Sequence, residues 1–300
     1  MENKYEAALR ISERVTWNLN DVLPEDAKLD FGQPFLPEAL VGARGLEFLS
    51  DPERRTLNQI RAHGYLCAFG LIEEFILPFV LERLQARVDG EMSETRALLA
   101  FAGEEAKHIE LFRRFRRVFE RGFAHRCEVI GPASAIREHV LGHSQLGVGL
   151  LVLHIEWLTQ HHYLAMVRNE GGLEPSFRKL LHEHWVEECQ HARIDGWIVE
   201  AVAAAASEEE RARAFADYVK LLSFLDQGLS QQVDLDLDAF ERAARPLRAE
   251  ERVQFRAAQW QSQRRTFLGL GVAHPRLRAA AENVHAASGG VLNELGRMYA

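Results

Sequence analysis

Apolar residues recur at helical spacing along most of this chain, with Arg and Glu on the opposite face of each segment. That pattern is typical of amphipathic helices that pack side by side. No segment shows the convincing alternation of a half-buried strand. The pattern therefore predicts an all-α protein. Helices are predicted at about 2–18, 51–87, 92–122, 144–170, 175–206, 208–232, 248–270 and 276–298, with a short helix before residue 51.

Local signals mark the ends of the longest predicted helices. Asp51 and Pro52 fit the N-cap and the first helical position of the helix at about 51–87. Pro78 inside that helix lacks a backbone N–H, so it should bend or locally break the helix. Gly122 ends the next helix, and Gly171 with Gly172 ends the one after.

Composition excludes several classes of protein. The 300 residues are 47% hydrophobic, enough for a large core. The 36 Lys and Arg against 44 Asp and Glu give a net charge of −8, and no basic stretch interleaved with aromatic residues suggests nucleic-acid binding. The polar start is unlike a signal peptide, and no apolar run approaches the roughly 20 residues that span a bilayer. We therefore expect a cytoplasmic protein that binds neither nucleic acid nor membrane.

The three cysteines, Cys67, Cys127 and Cys189, include no Cys-x-x-Cys pair. Their odd number and spacing argue against a disulfide framework and against a thiolate zinc site.

Two short segments carry the chemistry. His184, Glu188 and His191 are spaced four and three residues apart, and Glu105 with His108 forms a second Glu-x-x-His. Residues at these spacings share one face of a helix. A Glu-x-x-His on each of two helices, plus one Glu from each of two others, is how ferritin-like bundles hold two iron or manganese ions.

Chain geometry offers an independent test of that bundle. Residues equally far from the turn of an antiparallel helix pair lie at the same height. Glu74 and Glu105 flank the turn near residues 89–90 at similar distances, and Glu156 and Glu188 flank the turn near 171–172. All four carboxylates can meet in one layer if the segment from about 123 to 143 returns the chain along the bundle. We predict a single ferritin-like domain over 1–300, with the metal-binding bundle at about 51–206 and accessory helices at 1–48 and 207–300.

The pattern does not decide which glutamate of the first bundle helix is the metal ligand. Glu73 and Glu74 both lie within apolar stripes, so periodicity does not choose between them. Glu156 lies in a strongly apolar segment, where an unpaired carboxylate is costly unless it binds a cation. We therefore expect Glu156 to be a ligand.

Other titratable residues lie next to the proposed ligands. Glu104 and Glu187 each precede one, and are expected to be solvated or to lie in an outer shell around the metals. His154, His161 and His162 surround Glu156 in sequence but point to other faces of the helix, so we interpret them as hydrogen-bonded core or surface histidines.

His184 is an additional histidine beyond the common dimetal set of four carboxylates and two histidines. With His184 included, the candidate ligands of this chain come from four segments. They are Glu74-Phe-Ile-Leu, a Glu-x-x-His, a lone Glu and His-x3-Glu-x2-His. Together with Phe35-Leu-Pro-Glu38, it resembles the p-aminobenzoate N-oxygenase family of diiron oxygenases over about residues 30–200. The resemblance implies seven iron ligands: Glu74, Glu105, His108, Glu156, His184, Glu188 and His191.

The resemblance also implies an activity. Two Fe ions, with Mn as an alternative, would use O2 as co-substrate and an external electron donor to oxidise a small-molecule amine of secondary metabolism to a hydroxylamine, nitroso or nitro product. The helices after residue 207 would cover the bundle, close a pocket or form a homodimer.

Other functions remain open from the sequence. A family described as predicted metal-dependent hydrolases shares the His-x3-Glu-x2-His spacing, but its usual Trp-His order is reversed here by Trp185. Another diiron oxidase, hydroxylase or desaturase fits the same ligands, although radical storage is disfavoured because Phe112 stands where ribonucleotide reductase small subunits have a tyrosine. An iron-storage or structural helical protein is the alternative of a different class.

Overall fold

The computed structural model describes residues 3–87 and 89–300, and its regular structure within those ranges is entirely helical. This confirms the all-α prediction. The predicted helix at about 2–18 begins at a residue outside the described ranges. The helices are α1 (Lys4–Arg14), α2 (Leu19–Val22), α3 (Glu38–Val41), α4 (Asp51–Gln85), α5 (Met92–Gly122), α6 (Ala133–Leu141), α7 (Gln145–His162), α8 (Pro175–Ala205), α9 (Glu208–Ala243), α10 (Ala249–Arg264), α11 (Leu270–Ala273), α12 (Pro275–Val284) and α13 (Ser288–Tyr299), with π-helical segments π1 (Tyr163–Val167) and π2 (Arg265–Gly269).

Four long helices form the centre of the fold. Helix α4 packs along α5, and α7 packs along α8, as two helical hairpins. The segment between the hairpins contains α6, which lies against both α4 and α7, so the chain returns along the bundle as expected. Helix α9 then covers α7 and α4, and α10 packs on α9. Helices α4 and α7 are therefore shielded from solvent on the side of α9.

Helix α4 begins with a capping box in which the backbone N–H of Ser50 donates to Glu53 at 2.7 Å. Pro78 does not break α4, which is continuous from Asp51 to Gln85, and the bend expected as the alternative stays a prediction. A proline inside a helix removes one hydrogen bond, to the carbonyl four residues earlier. Packing of the long helix on its neighbours offsets that loss.

Length and composition alone would allow α4 to cross a membrane, but 56% of its apolar window is buried inside the protein. A helix that is apolar on all sides is also what the centre of a bundle requires. We therefore describe α4 as a core helix.

The C-terminal region departs from prediction in two places. Helix α9 extends eleven residues past the predicted end at 232, because Val233, Leu237 and Phe240 continue its buried face. The prediction of a single helix at 276–298 is wrong. The backbone of His285 is extended, and the chain turns there between α12 and α13. The turn allows α13 to pack against π2 and α11. Tertiary packing therefore overrides the continuous helical pattern.

Two buried histidines of α7 bind the backbone of π2. His162 Nε2 donates to the Thr266 carbonyl at 3.1 Å, and its Nδ1 accepts from the Tyr65 hydroxyl at 2.9 Å. His154 makes the equivalent pair of bonds, to the Phe267 carbonyl at 3.0 Å and the Tyr218 hydroxyl at 2.8 Å. Burial lowers the pKa of His162 to about 3 and that of His154 to about 4, so both rings are neutral. These two residues are the hydrogen-bonded core histidines expected from the sequence.

Replacing His162 with Phe should destabilise the protein, because the substitution leaves the Tyr65 hydroxyl and the Thr266 carbonyl buried without partners. Each lost partner costs about 1–3 kcal/mol, so we expect the free energy of unfolding to fall by about 2–6 kcal/mol. Urea titration followed by circular dichroism measures the change. The adjacent, less buried His161→Ala serves as control and should change stability by no more than about 0.5 kcal/mol. Equal effects of the two substitutions would contradict the role of His162.

Candidate metal centre

Buried carboxylates and imidazoles from three bundle helices converge at the middle of the fold. These residues form two overlapping groups, and within each group one donor atom from every residue lies within 4.8 Å of the others. The groups share two residues and therefore suit a pair of neighbouring metal ions. The first group is Glu73, His108, His184 and Glu188, and the second is Glu105, His108, Glu188 and His191.

Glu188 lies between the two groups. Its Oε1 is 2.8 Å from His184 Nε2 and 3.0 Å from His108 Nδ1, whereas its Oε2 is 3.1 Å from His191 Nδ1. Each oxygen of one carboxylate therefore faces a different group. That arrangement is suited to a carboxylate that bridges two ions.

Several donor atoms at the centre lack a hydrogen bond although they are buried. Glu105 lies 2.8 Å from His191 Nδ1, yet neither of its oxygens accepts a hydrogen bond, and His108 Nδ1 also makes no hydrogen bond although it lies close to Glu188. Buried polar atoms without partners are costly, and a shared cation would satisfy them. The donor set of nitrogen and oxygen atoms fits transition-metal ions such as iron or manganese.

A second ring of carboxylates fixes the orientation of two imidazoles. His108 Nε2 lies 2.9 Å from Glu187, and His191 Nε2 lies 2.7 Å from Glu104. With a metal at Nδ1, each Nε2–H would donate to its carboxylate, which sets the tautomer and raises the basicity of the ligand nitrogen. Of the two roles expected for Glu104 and Glu187, the structure favours the outer shell.

The outer carboxylates are held in turn by the surrounding helices. Glu104 accepts from Gln190 Nε2 at 2.7 Å and from the Ser12 hydroxyl of α1. Glu187 is paired with Lys107, whose Nζ lies 3.9 Å above the Trp17 ring. The Trp17 ring is also parallel to that of His108, at 6.1 Å between centroids. The N-terminal segment therefore covers this side of the centre.

The structure corrects the carboxylate assigned to the first bundle helix. Glu73 is buried and lies 3.1 Å from His184 Nε2. Glu74, the residue implied by the family resemblance, points away from the cluster and pairs with Arg113 at 2.7 Å and Arg137 at 3.6 Å. Adjacent residues of a helix point about 100° apart, so only one of the two can face the centre. Glu73 is that residue.

Glu156 and Asp195 lie beside the second group. Glu156 is buried and hydrogen-bonded to Glu188, and burial raises its pKa well above the usual value. Asp195 has no exposed surface, neither of its oxygens accepts a hydrogen bond, and burial raises its pKa as well. Sequence reasoning missed Asp195, although it lies four residues after His191 on the same helical stripe.

Of the seven ligands predicted from the sequence, six lie at this centre: Glu105, His108, Glu156, His184, Glu188 and His191. Their binding of metal remains a prediction. Phe112 packs on His184 with 5.0 Å between ring centroids. An aromatic ring without a hydroxyl therefore occupies the position where a radical-storing tyrosine would be expected.

Comparison with known proteins is informative only for the fold. No family model matches the chain, and no curated protein matches it. Among solved structures, a variant of an R2-like ligand-binding oxidase with an aerobically reconstituted Mn/Fe cofactor is 13% identical over 94% of this chain and 93% of its own, with a TM-score of 0.50. Another variant of that oxidase, with an Fe/Fe cofactor, is 14% identical over 89% and 94%, with a TM-score of 0.47. On the first of these likenesses and its own helical architecture, the chain has a ferritin-like helical-bundle fold.

Substitution of neighbouring glutamates tests the corrected assignment. Glu73→Ala removes a donor from the first group, so we expect its affinity for Fe(II) or Mn(II) to fall at least about tenfold at one of the two positions. Glu74→Ala removes only an ion pair on the outer side of α4 and should leave the affinity unchanged. Metal content after dialysis and competition with a chelator measure both effects. A larger loss in Glu74→Ala would restore the original assignment.

Metal uptake should depend strongly on pH. Burial lowers the pKa of His191, but the charge of Glu188 and the hydrogen bond to Glu104 raise it well above the usual value. Burial also lowers the pKa of His108. The neighbouring carboxylates, with the charge of Glu73 as the largest contribution, more than offset this effect and raise the pKa well above its usual value. The metal-free rings therefore hold protons at neutral pH, which the metal must displace.

We expect the apparent metal affinity to rise with pH through the neutral range, by about tenfold per unit for each proton displaced. Chelator competition at several pH values, with proton release measured in weakly buffered solution, checks this result. An affinity independent of pH, with no protons released, would contradict it.

Proposed function

We propose that this protein is a non-haem diiron oxygenase that oxidises an amine, in the manner of the p-aminobenzoate N-oxygenases that its ligand pattern resembles. The observation that carries the proposal is the pair of buried donor groups that share Glu188, with His184 as an additional nitrogen donor. Iron is the proposed metal, and the Mn/Fe cofactor of the structurally similar oxidase makes manganese an alternative at one position.

The protein residues would serve four purposes in this reaction. Glu73, Glu105, Glu156 and Glu188 would balance the charge of two divalent ions, and Glu188 would hold the ions adjacent. Glu104 and Glu187 keep His191 and His108 oriented toward the ions. The apolar rings of Phe69 and Phe112 lie against His184 and that of Phe101 lies against His191, where they would exclude water. The protein thus supplies ligand geometry and a dry cavity, and the iron pair, when bound, supplies the O2 chemistry.

The reaction balances with an external electron donor. An amine, one O2, two electrons and two protons give a hydroxylamine and one water, with one oxygen atom inserted into an N–H bond. Further rounds would give the nitroso and nitro products. The electron donor would be a two-electron reductant or a pair of one-electron carriers.

His184 separates this proposal from desaturase-like dimetal chemistry. Its Nε2 lies 3.1 Å from Glu73 and 2.8 Å from Glu188, so it is in place as a donor of the first group. A neutral imidazole adds coordination without changing the charge balance between the carboxylates and the ions. This third histidine belongs to the pattern of the N-oxygenases and not to that of the desaturases.

Isotope labelling tests the proposed activity. Protein loaded with Fe(II) under argon should contain about two iron ions per chain, as the two donor groups require. With a chemical reductant, an aromatic amine and isotopically labelled O2, it should form a hydroxylamine that carries the label, detected by mass spectrometry. His184→Ala should retain the fold, as judged by circular dichroism, and lose at least about tenfold in rate. Two bound irons without any labelled product from a panel of amines would contradict the proposal.

A further inference from the structure

An apolar cleft lies beside the metal centre. It has a volume of about 400 Å³, within the range of pockets that enclose small molecules. Helix α4 forms one wall through Ile72 and Phe75, and α9 forms the opposite wall. Helix α6 closes one end, and Ile155 of α7 and Phe267 of π2 complete the lining. Elements that carry metal-site residues, α4 and α7, therefore also shape the cleft.

No lining residue in the described part of the chain is Asp, Glu, Lys or Arg. The polar side chains are His139, Gln227 and Gln231, all exposed at the mouth. A carboxylate or an ammonium group inside this cleft would lose its hydration without gaining an opposite charge, which is strongly unfavourable. The lining therefore selects uncharged molecules.

Aromatic contacts connect the cleft to the metal centre. The ring of Phe267, which lines the cleft, is 6.0 Å from the ring of Phe69. Phe69 in turn lies 5.7 Å from the imidazole of His184. Ile72 and Ile155 also directly precede Glu73 and Glu156 in the chain. One ring thus lies between the cleft lining and a metal-site imidazole.

Two arginines of α5, Arg113 and Arg116, do not offer a site for a carboxylate. Arg113 and Arg116 border a separate hollow of about 140 Å³, which is too small for a drug-sized ligand. Arg113 is already paired with Glu74 at 2.7 Å, and Arg116 is paired with Glu120 at 2.8 Å. Their charges are compensated within the protein.

We propose that this cleft binds the substrate, and that the substrate is an uncharged, predominantly apolar aromatic amine without a carboxylate. The inference rests on the proposed function for the amine, and on the cleft itself for the charge and polarity. Aliphatic amines are protonated at neutral pH, whereas aromatic amines are neutral and keep a free electron pair on nitrogen. Only the aromatic class therefore matches both the lining and the reaction.

A matched pair of probes tests the preference. The isopropyl group of 4-isopropylaniline has nearly the shape of the carboxylate of 4-aminobenzoate, so the two molecules differ mainly in charge. Isothermal titration of the iron-loaded protein under argon should show that 4-isopropylaniline binds at least tenfold more tightly. Equal binding of the two probes, tighter binding of 4-aminobenzoate or no binding of 4-isopropylaniline would overturn the proposal.

Two tryptophan substitutions on α6 locate the binding site. Ala135 lines the cleft, and Ala135→Trp should obstruct it and weaken the binding of 4-isopropylaniline at least tenfold. Ser134 is exposed and does not line the cleft, so Ser134→Trp is the matched control and should bind as the unmodified protein does. Equal affinity of the two variants would show that the cleft is not the binding site.

The binding measurements separate this inference from the proposed function, because they require no turnover. If 4-isopropylaniline binds in the cleft but is never oxidised, the proposed activity fails and the assignment of the cleft stands. If amines are oxidised but Ala135→Trp changes neither their KM nor their binding, the assignment of the cleft fails and the activity stands.

Discussion

The structure depends on the compensation of charge at the centre of the bundle. Carboxylates and imidazoles that would each be costly to bury alone are placed where every one faces a group of opposite charge or a site for a cation. Burial raises the pKa of Glu188, but His191 and His184 more than offset this effect and hold the pKa well below its usual value. The helices can approach closely only because these charges compensate one another.

Apolar packing complements this arrangement. The aromatic rings around His184 and His191 keep water away, which strengthens the electrostatic interactions within the centre. The same apolar surroundings continue into the cleft next to α4. A strongly polar centre and an uncharged cleft are therefore separated by little more than the ring of Phe69. In the proposed oxygenase, this proximity would place oxygen activation and the binding of an apolar molecule in adjacent sites.

The sequence predicted much of the fold and site, because helical periodicity and ligand spacing are local properties. It could place Glu105 and His108 on one face, and Glu188 and His191 on another, without any knowledge of tertiary structure. It could not choose between Glu73 and Glu74, since both continue apolar stripes and the outcome depends on the helix rotation set by packing. The turn at His285 was missed for a similar reason, because only contacts with π2 and α11 determine where α13 lies.

The crossed pairing of the outer carboxylates has a consequence for assembly. Both motifs read Glu-Glu-x-x-His, and the first Glu of each holds the His of the other helix: Glu104 holds His191, and Glu187 holds His108. A slip of α5 against α8 by one helical turn, a shift of about 5.4 Å, would break both pairs at once. The two motifs therefore fix the register of α5 against α8, two helices that are distant in the chain. Only a bundle in the correct register presents a complete centre, so metal retention would report that the helices have assembled correctly.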